Sequence, residues 1–401
     1  MTCKRILFVD DEQSLLDGLQ DILRKHRREW KMVFALGAEA ALAELAAAPC
    51  DVIVSDMRMP GLDGAALLER VRDDYPQVAR IVLSGHAERE AVVRALPVAH
   101  QYLSKPCDVA VLQAVIERMC HLQALVEDDV VRTTAGRLDR LPSVPSRHRE
   151  LVTVSGSAAC GLADVTAVVE TDPAMAAKVL QLANSAYFGS GQRTTSVRRA
   201  AAYLGVDLIQ DMVATTQVFD PVAMPMRGGL SLERLQQHSL RTARLAGRLM
   251  PDQSRAEEAF TAALLHDVGK IVLALGFPDR YADVLALAQE TGRPLYEVEK
   301  GALGVTHAEA GAYLLGVWGL PCSIVEAIAY HHTPRLASPG TRDVIAAIHV
   351  ADALANGAAP PHRRHLIDLE FLDEVGLASS LPAWERIATD ELDALVEVRQ
   401  P

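Results

Sequence analysis

The sequence predicts a multidomain protein with an N-terminal α/β domain, built on a doubly wound five-stranded parallel sheet, followed by an all-α domain. At 401 residues the chain is too long for one ordinary hydrophobic core. Over residues 4–122, short apolar and β-branched runs alternate with amphipathic stretches, which is the pattern of repeated βα units. Beyond residue 122 the strand pattern disappears. Half of all residues are apolar and only 4% are aromatic, a composition that favours closely packed helices.

Five strands are predicted in the first domain. They cover residues 5–9, 32–35, 52–55, 80–83 and 100–103. Because helical stretches separate them, the strands are expected to lie parallel, with helices on both faces of one open sheet.

Eleven helices are predicted in the second domain. They cover residues 162–171, 173–184, 197–204, 208–218, 232–250, 256–266, 281–291, 295–303, 307–318, 322–332 and 343–355. Prolines at 142 and 145 break the helical pattern after a helical linker. We therefore predict domains at 1–122 and 141–356, a linker at 123–140, and an extension at 357–401 without a usable motif.

Composition excludes several classes of function. A net charge of -12 argues against a direct nucleic-acid partner, because such binding requires Lys and Arg to neutralise phosphates. The sequence contains no apolar run of 18 or more residues, so no membrane span is predicted. Six scattered cysteines without a Cys-x-x-Cys pair, and a start that runs directly into a strand, predict a cytoplasmic protein.

Polar residues of the kinds that take part in phosphoryl transfer follow the ends of four predicted strands. Asp10 and Asp11 follow the first strand, Asp56 the third, Ser84 the fourth and Lys105 the fifth. Because the carboxyl ends of parallel strands meet at one edge, we expect these side chains to converge. The carboxylates suit Mg²⁺, while the hydroxyl and the ammonium suit phosphoryl oxygens. Any one of them alone would more commonly be a helix cap or a solvated residue, so the prediction depends on the set.

The first 120 residues resemble a response-regulator receiver domain, which has a flavodoxin-like fold. The segments that carry the resemblance are Val-Asp-Asp-Glu at 9–12, Asp-Met-Arg-Met-Pro-Gly-Leu-Asp-Gly at 56–64, Leu-Ser-Gly-His at 83–86 and Lys-Pro at 105–106. The resemblance implies that Asp56 accepts a phosphoryl group from a histidine kinase.

The same resemblance assigns the neighbouring residues. The Mg²⁺ ligands that it implies are the side chains of Asp10, Asp11 and Asp56 and the backbone carbonyl of Arg58. Ser84 and Tyr102 would be the residues that move on phosphorylation, and Lys105 would bind the phosphoryl group. They would act on the face formed by the fourth helix, fifth strand and fifth helix of the receiver, a face through which the family forms homodimers. A helix near 108–122 would carry the change toward the linker.

A second constellation lies in the helical region, where Leu-Leu-His-Asp-Val-Gly-Lys occupies 264–270. The ligand-type side chains of this region are His238, His266, Asp267, His307, His331, His332 and Asp352. Five imidazoles and two carboxylates suffice for a binuclear site that activates water against a phosphoester. A lone helical histidine is more commonly a core or capping residue, so this prediction too depends on the set.

These residues resemble the HD superfamily of metal-dependent phosphohydrolases, with His266-Asp267 as the eponymous pair. The cyclic-di-GMP phosphodiesterase branch does not fit, because Thr-Pro-Arg-Leu follows His331-His332 where a Glu and a later Gly-Tyr-Pro are expected. The HDOD branch, the HD-related output domain, fits over about 135–355. Its features are Leu-Pro-Ser-Val-Pro at 141–145, Asp-Pro at 172–173, Leu-Ala-Asn-Ser-Ala-Tyr-Phe-Gly at 182–189, Ser-Val-Arg-Arg-Ala at 196–200, Leu-Gly at 204–205 and the stretch 318–321.

The sequence predicts a signalling adaptor and leaves a phosphohydrolase as the alternative function. HDOD domains are viewed as signalling modules of unproven catalytic status, so the first is an adaptor whose phosphorylation state selects a downstream protein. The second is a phosphorylation-gated phosphohydrolase acting on a nucleotide or a cyclic dinucleotide through Fe, Mn or another divalent transition metal. The cluster would otherwise join helices through a structural metal, or form a metal-free polar network.

Residues 184–191, with Arg193, Arg198 and Arg199, are predicted to be either a binding loop for an anionic partner or a solvated basic face.

Overall fold

The N-terminal domain of the computed structural model is the predicted doubly wound sheet. The structure describes residues 3–85, 98–126, 128–138, 140–157, 160–185, 193–214, 230–355 and 365–397. Five parallel strands lie in the order β2-β1-β3-β4-β5. They are β1 (Lys4–Asp10), β2 (Trp30–Leu36), β3 (Val52–Asp56), β4 (Ala79–Ser84) and β5 (Gln101–Ser104). Residues 5–10 of β1 and all of β3 are buried, as expected for strands covered on both faces.

Four helices of the described chain belong to this sheet. They are α1 (Gln13–Ile22), α2 (Ala38–Ala47), α3 (Gly64–Asp74) and α4 (Val109–Leu125). Asp63 and Asp108 begin α3 and α4 by accepting hydrogen bonds from the backbone N–H of Ala66 and Ala110.

The rest of the described chain is helical, which confirms the predicted all-α region. Its helices are α5 (Asp129–Arg137), α6 (Pro145–Ser155), α7 (Leu162–Val169), α8 (Pro173–Ala183), α9 (Val197–Leu204), α10 (Val206–Ala214), α11 (Leu232–Leu249), α12 (Gln253–Leu265), α13 (Val268–Gly276), α14 (Pro278–Thr291), α15 (Leu295–Leu303), α16 (His307–Val317), α17 (Cys322–Tyr330), α18 (Arg342–Ala355), α19 (Leu369–Glu374) and α20 (Leu381–Glu397). Every residue of α8 is buried, so this helix lies in the core of the domain.

Several helices differ from their predicted course. The helix near 108–122 does not continue through the linker: α4 ends at Leu125, and Asp128 begins a new helix by accepting from the N–H groups of Val130 and Val131. Pro145 starts α6 instead of only ending a helix, because proline at the first helical position loses no intrahelical hydrogen bond. The sequence patterns missed α6, α13, α19 and α20, and residues 215–218 of the predicted 208–218 helix lie outside the described residues.

The two domains pack along a polar seam at β4, β5 and α4. The Arg80 guanidinium, buried in the N-terminal domain, donates to the Gly136 carbonyl of α5 at 2.7 Å. Gln101 of β5 donates to the Val317 carbonyl at the end of α16 at 2.9 Å. A Cβ on Gly316 would lie 2.7 Å from Leu122 of α4, so α4 and α16 approach closely. These parts of β5 and α4 therefore contact the helical domain of the same chain.

One apolar segment of the described chain, Gln253–Gly276, has the length and hydropathy of a membrane span. It covers α12 and α13, and 78% of its most apolar window is buried inside the protein. Burial of this kind is typical of a core helix.

Candidate functional site

Two acidic side chains meet a lysine at the carboxyl edge of the sheet. The Lys105 ammonium lies 2.8 Å from Asp10 Oδ2 and also contacts Asp56 Oδ1. Asp10 and Asp56 are buried, while Lys105 is only partly buried. Burial lowers the pKa of Lys105, but the hydrogen bonds to both carboxylates outweigh it and raise the pKa above its usual value. The lysine is therefore charged and holds the two carboxylates together.

The other residues implied for this edge lie in varied settings. Asp11 is exposed, and in the described part of the chain no group of three ligand atoms within 4.8 Å of one another combines it with Asp10 and Asp56. The backbone N–H of Arg58 donates to Asp56 Oδ2 at 2.7 Å. The buried Tyr102 donates its hydroxyl to the Ala99 carbonyl at 3.0 Å. Ser84 ends β4, and its side chain lies outside the described residues. Magnesium binding here stays a prediction.

The seven ligand-type residues of the helical domain converge, and we call them the histidine cluster. Its members are His238, His266, Asp267, His307, His331, His332 and Asp352. Most stand at helix ends: two at the junction of α12 and α13, one at the first position of α16, and two just after α17. The remaining pair lie within α11 and α18. Residues spread over more than a hundred positions in sequence are thus brought to one point.

Gly269 allows part of this convergence. A Cβ at this position would overlap the backbone carbonyl of His307 and lie 2.6 Å from the backbone nitrogen of Gly311. The starts of α13 and α16 can therefore cross in near backbone contact, which brings Asp267 beside His307.

Hydrogen bonds orient three of the imidazoles. His266 Nδ1 lies 2.6 Å from the Ala263 carbonyl, and His331 Nδ1 lies 2.7 Å from the Ile328 carbonyl. A carbonyl only accepts, so both rings carry a proton on Nδ1 and turn Nε2 toward the cluster. Both Nε2 atoms are buried and have no hydrogen-bond partner among the described residues. His307 is held in the same sense by Glu299 Oε2, 2.6 Å from its Nδ1.

The cluster divides into two groups of ligands around Asp267. On one side, Asp267 Oδ2 lies 3.6 Å from His238 Nε2 and 3.4 Å from His266 Nε2. Asp352 Oδ1 completes this group, 2.9 Å from His238 Nε2 and 3.6 Å from His266 Nε2. Ligands about 2.1 Å from one ion lie roughly 3.0–3.5 Å from each other, so the spacing fits a single transition metal.

On the other side, Asp267 Oδ1 lies 3.4 Å from His307 Nε2. His307 Nε2 is also 3.0 Å from His332 Nε2, and these rings form a second ligand group with His331. Asp267 thus offers one carboxylate oxygen to each group, as a ligand shared by two ions would.

The protonation states match this role. Burial favours neutral Asp267, but the nearby charges of His266 and Lys270 hold the pKa of Asp267 well below its usual range. Burial, with help from neighbouring imidazoles, lowers the pKa of His331 to about 3 and holds that of His332 well below its usual value. Asp267 is therefore a carboxylate, and His331 and His332 are neutral imidazoles, which are the forms that bind metals.

Sequence reasoning missed two residues that support the cluster, Glu299 and His349. The fully buried Glu299 accepts from the His307 backbone N–H at 2.9 Å and from the Tyr281 hydroxyl at 2.9 Å, which fixes the carboxylate that orients His307. His349 bonds the His331 carbonyl through Nδ1 at 2.7 Å and accepts from the Asp368 N–H at 2.9 Å, so both of its nitrogens are engaged. The helix at 295–303 was predicted, but only its packing in the fold identifies Glu299, because the sequence around this residue resembles any exposed helix.

A cavity of about 800 Å³ opens onto the cluster. Its lining includes His238, Asp267, His307, His332 and Asp352, so the ligands face an open space large enough for a small-molecule substrate. The Lys270 ammonium also lines it, 2.6 Å from Asp267 Oδ2.

The predicted anion-binding segment is not brought to this cavity in the described residues. Positions 186–192 lie outside the described residues. Arg198 pairs with Glu170 at 3.1 Å and Arg199 with Glu257 at 3.1 Å, so both guanidinium groups already face carboxylates of the same chain.

Comparison with known families identifies two regions of the chain. The family model for the response regulator receiver domain matches residues 6–117, and the model for the HDOD domain matches residues 141–334. The chain is a response regulator with an HDOD domain. Its receiver domain implies a phosphodonor such as a histidine kinase.

Individual proteins resemble parts of this regulator. An uncharacterized protein of Treponema pallidum is 25% identical over 230 residues, which are 56% of this chain and 44% of that protein. The hydrogenase transcriptional regulatory protein HoxA of Cupriavidus necator is 37% identical over 103 residues, 25% of this chain and 21% of HoxA. The regulator thus spans less than half the length of either relative.

The fold also has a counterpart among solved structures. A virulence factor from Campylobacter jejuni superposes with a TM-score of 0.55 at 21% identity, covering 66% of this chain and all of the other. At this identity the likeness shows the fold alone.

Proposed function

We propose that this response regulator is cytoplasmic, is phosphorylated on Asp56, and hydrolyses phosphoesters at a binuclear transition-metal centre in its HDOD domain. One observation carries the proposal: the buried Nε2 atoms of His266 and His331 have no hydrogen-bond partner in the described part of the chain, and both histidines form a ligand group with Asp267. Orphaned buried nitrogens cost free energy unless a ligand satisfies them. A cation is the ligand that suits imidazole lone pairs beside carboxylates.

The residues fit two ions. His238, His266, Asp267 and Asp352 would hold one, and Asp267, His307, His331 and His332 the other. Divalent ions bound there would activate water and neutralise developing charge on a phosphoester. Asp267 fixes the spacing of the two groups, Glu299 keeps the His307 lone pair directed inward, and the cavity admits the substrate beside them.

Two helices support control by the receiver. α16 begins at the cluster with His307 and ends at the seam, where Val317 accepts from Gln101 of β5. α13 begins after Asp267 and ends at Gly276, where a Cβ would lie 2.8 Å from the Thr134 hydroxyl of the linker helix α5. A shift of β5 or α5 on phosphorylation would therefore be carried to two cluster residues, because helices move as rigid units.

A phosphodiesterase assay tests the proposal. The Mn²⁺-loaded full chain should release nitrophenol from bis-p-nitrophenyl phosphate, and treatment with acetyl phosphate and Mg²⁺ should change that rate. Asp267→Ala should abolish turnover, while Asp56→Asn should keep it but lose the response to acetyl phosphate. Equal turnover by wild type and Asp267→Ala would refute the catalytic proposal.

A second candidate function, the adaptor, is favoured by contacts that satisfy parts of the cluster without metal. Lys270 donates to Asp267 at 2.6 Å, and His332 and His307 share a hydrogen bond of 3.0 Å. In that case the output is a protein contact that depends on Asp56 phosphorylation. No metal uptake and no turnover, together with a partner that binds only one phosphorylation state, would support it.

A further inference from the structure

One wall of the cavity is a cationic face of α11. Ser231, Arg234, His238 and Arg241 all line the cavity, and spacings of three and four residues place them on one side of a helix. Arg234 precedes the cluster residue His238 by four positions and Arg241 follows it by three. At 1.5 Å per residue these offsets are roughly 6 Å and 4.5 Å along the axis. Two guanidinium groups thus flank the cluster.

These arginines differ in their surroundings. Arg234 is exposed, and its side chain makes no hydrogen bond or ion pair with the part of the chain that the structure describes. Arg241 is half-buried and donates its Nε to the Gln237 carbonyl of its own helix at 3.2 Å. A guanidinium group can donate two parallel hydrogen bonds to the oxygens of one phosphate. Arg234 and Arg241 are therefore both suited to a phosphate that does not lie at the cluster.

Other parts of the cavity lining are apolar and aromatic. Leu285 of α14, with Pro294, Leu295 and Tyr296 at the start of α15, line it. The Tyr296 ring stacks on the His332 imidazole at 4.5 Å, which fixes the ring at the edge of the cluster. Such surfaces contribute nothing to binding a bare polyphosphate, but they suit the planar bases of nucleosides.

We infer that the site takes a phosphodiester that joins two nucleosides and carries a second phosphate, the class of a 5′-phosphorylated dinucleotide. The internal phosphate lies at the histidine cluster, the second phosphate is held by Arg234 and Arg241, and the bases lie against Tyr296 and its neighbours. The volume of about 800 Å³ accommodates a ligand of this size. This inference rests on the proposed phosphoesterase function and names its substrate class.

Binding of non-hydrolysable analogues tests the inference without turnover. Methylenephosphonate analogues of adenylyl-adenosine (ApA) and its 5′-phosphorylated form (pApA) differ by one phosphate, and calorimetry on the full chain measures both affinities. Wild type should bind the pApA analogue at least about tenfold more tightly than the ApA analogue, because the extra phosphate gains charge-assisted hydrogen bonds. The double variant Arg234→Gln/Arg241→Gln should lose this preference. Arg244→Gln, an exposed change on α11 outside the cavity lining, should retain it.

Three results would overturn the inference: equal affinity of wild type for the two analogues, an unchanged preference in the double variant, or tripolyphosphate binding as tightly as the pApA analogue. Unchanged circular dichroism and metal content in the double variant establish that it is folded. Absence of bis-p-nitrophenyl phosphate hydrolysis would refute the proposed catalysis, while the difference between the two analogues would still decide the binding mode.

Discussion

The receiver edge and the histidine cluster are both built from acidic and basic side chains, but the fold assembles them differently. Asp10, Asp56 and Lys105 meet because parallel strands end at one edge, and Lys105 stays partly exposed to solvent. The cluster combines seven residues from α11 to α18, and His266, Asp267, His307 and His331 are at most 1% exposed.

Their chemistry differs in the same way. The receiver edge offers only oxygen ligands and already contains a cation, the Lys105 ammonium, so it suits a weakly held hard ion such as Mg²⁺. The cluster offers mainly imidazole nitrogen, and most of its side chains are buried, so it suits a resident transition metal. One site is thus suited to transient chemistry and the other to a permanent centre.

The largest expected effect is a complete loss of function at the receiver edge with no change at the histidine cluster. Asp56→Asn should abolish phosphorylation by acetyl phosphate, because an amide cannot form the acyl phosphate, as read by phosphate-affinity electrophoresis. Metal content of the HDOD domain should not change. Phosphorylation of Asp56→Asn at the wild-type rate would show that another residue is the acceptor.

A smaller effect is expected inside the histidine cluster. Glu299→Gln should weaken metal binding about 10–100-fold, because an amide orients His307 less firmly than the carboxylate that now bonds its Nδ1. Competition with a fluorescent chelator measures the affinity. Glu290→Gln, an exposed change on the neighbouring helix α14, is the matched control. Equal affinities in both variants would remove Glu299 from the site.

A substitution at one glycine should destabilise the seam between the two domains. A Cβ on Gly136 would overlap the Pro76 carbonyl, so Gly136→Ala should lower the free energy of unfolding by about 1–3 kcal/mol. Gly18→Ala has open space around its Cβ and lies within α1, so it should be neutral or stabilising. Urea unfolding of both variants makes the comparison. A neutral Gly136→Ala would mean that α5 does not pack tightly on the receiver.

The smallest effect concerns pH at the same seam. Burial, with the charges of Arg80 and Lys178, holds the pKa of His100 well below its ordinary value of 6.5. The unfolded chain therefore binds this proton first, so stability is full above about pH 6.5 and falls as the pH decreases below it, by at most about 1.4 kcal/mol per pH unit. His100→Gln should flatten the loss of stability between about pH 6.5 and pH 5. The exposed His121→Gln should keep the wild-type slope; identical slopes in all three proteins would contradict this account.

Sequence patterns predicted the features that depend on the order of neighbouring elements along the chain. The strands and the positions of Asp10, Asp56 and Lys105 follow from alternating βα units, since the sheet edge is a topological consequence of them. Most helices also followed from apolar spacing. The missed α13 is a short apolar stretch directly after Asp267, where periodicity cannot separate two helices from one.

The histidine cluster was predicted only as a set of suitable ligands. Which imidazole faces which carboxylate depends on helix packing, as at Gly269, and no spacing in the sequence encodes it. Glu299 and His349 were missed for the same reason: a buried carboxylate or imidazole that supports another residue has no sequence pattern of its own.

The most direct test of the central claim is elemental mass spectrometry of the full chain, purified without chelators or a metal-affinity tag. Wild type is compared with His266→Ala/Asp267→Ala, which removes ligands from both groups. Wild type should contain close to two transition-metal ions per chain, and the double variant should contain almost none. No bound metal in wild type, even after incubation with Mn²⁺ or Fe²⁺, would contradict it and leave the cluster as a polar network in a signalling adaptor.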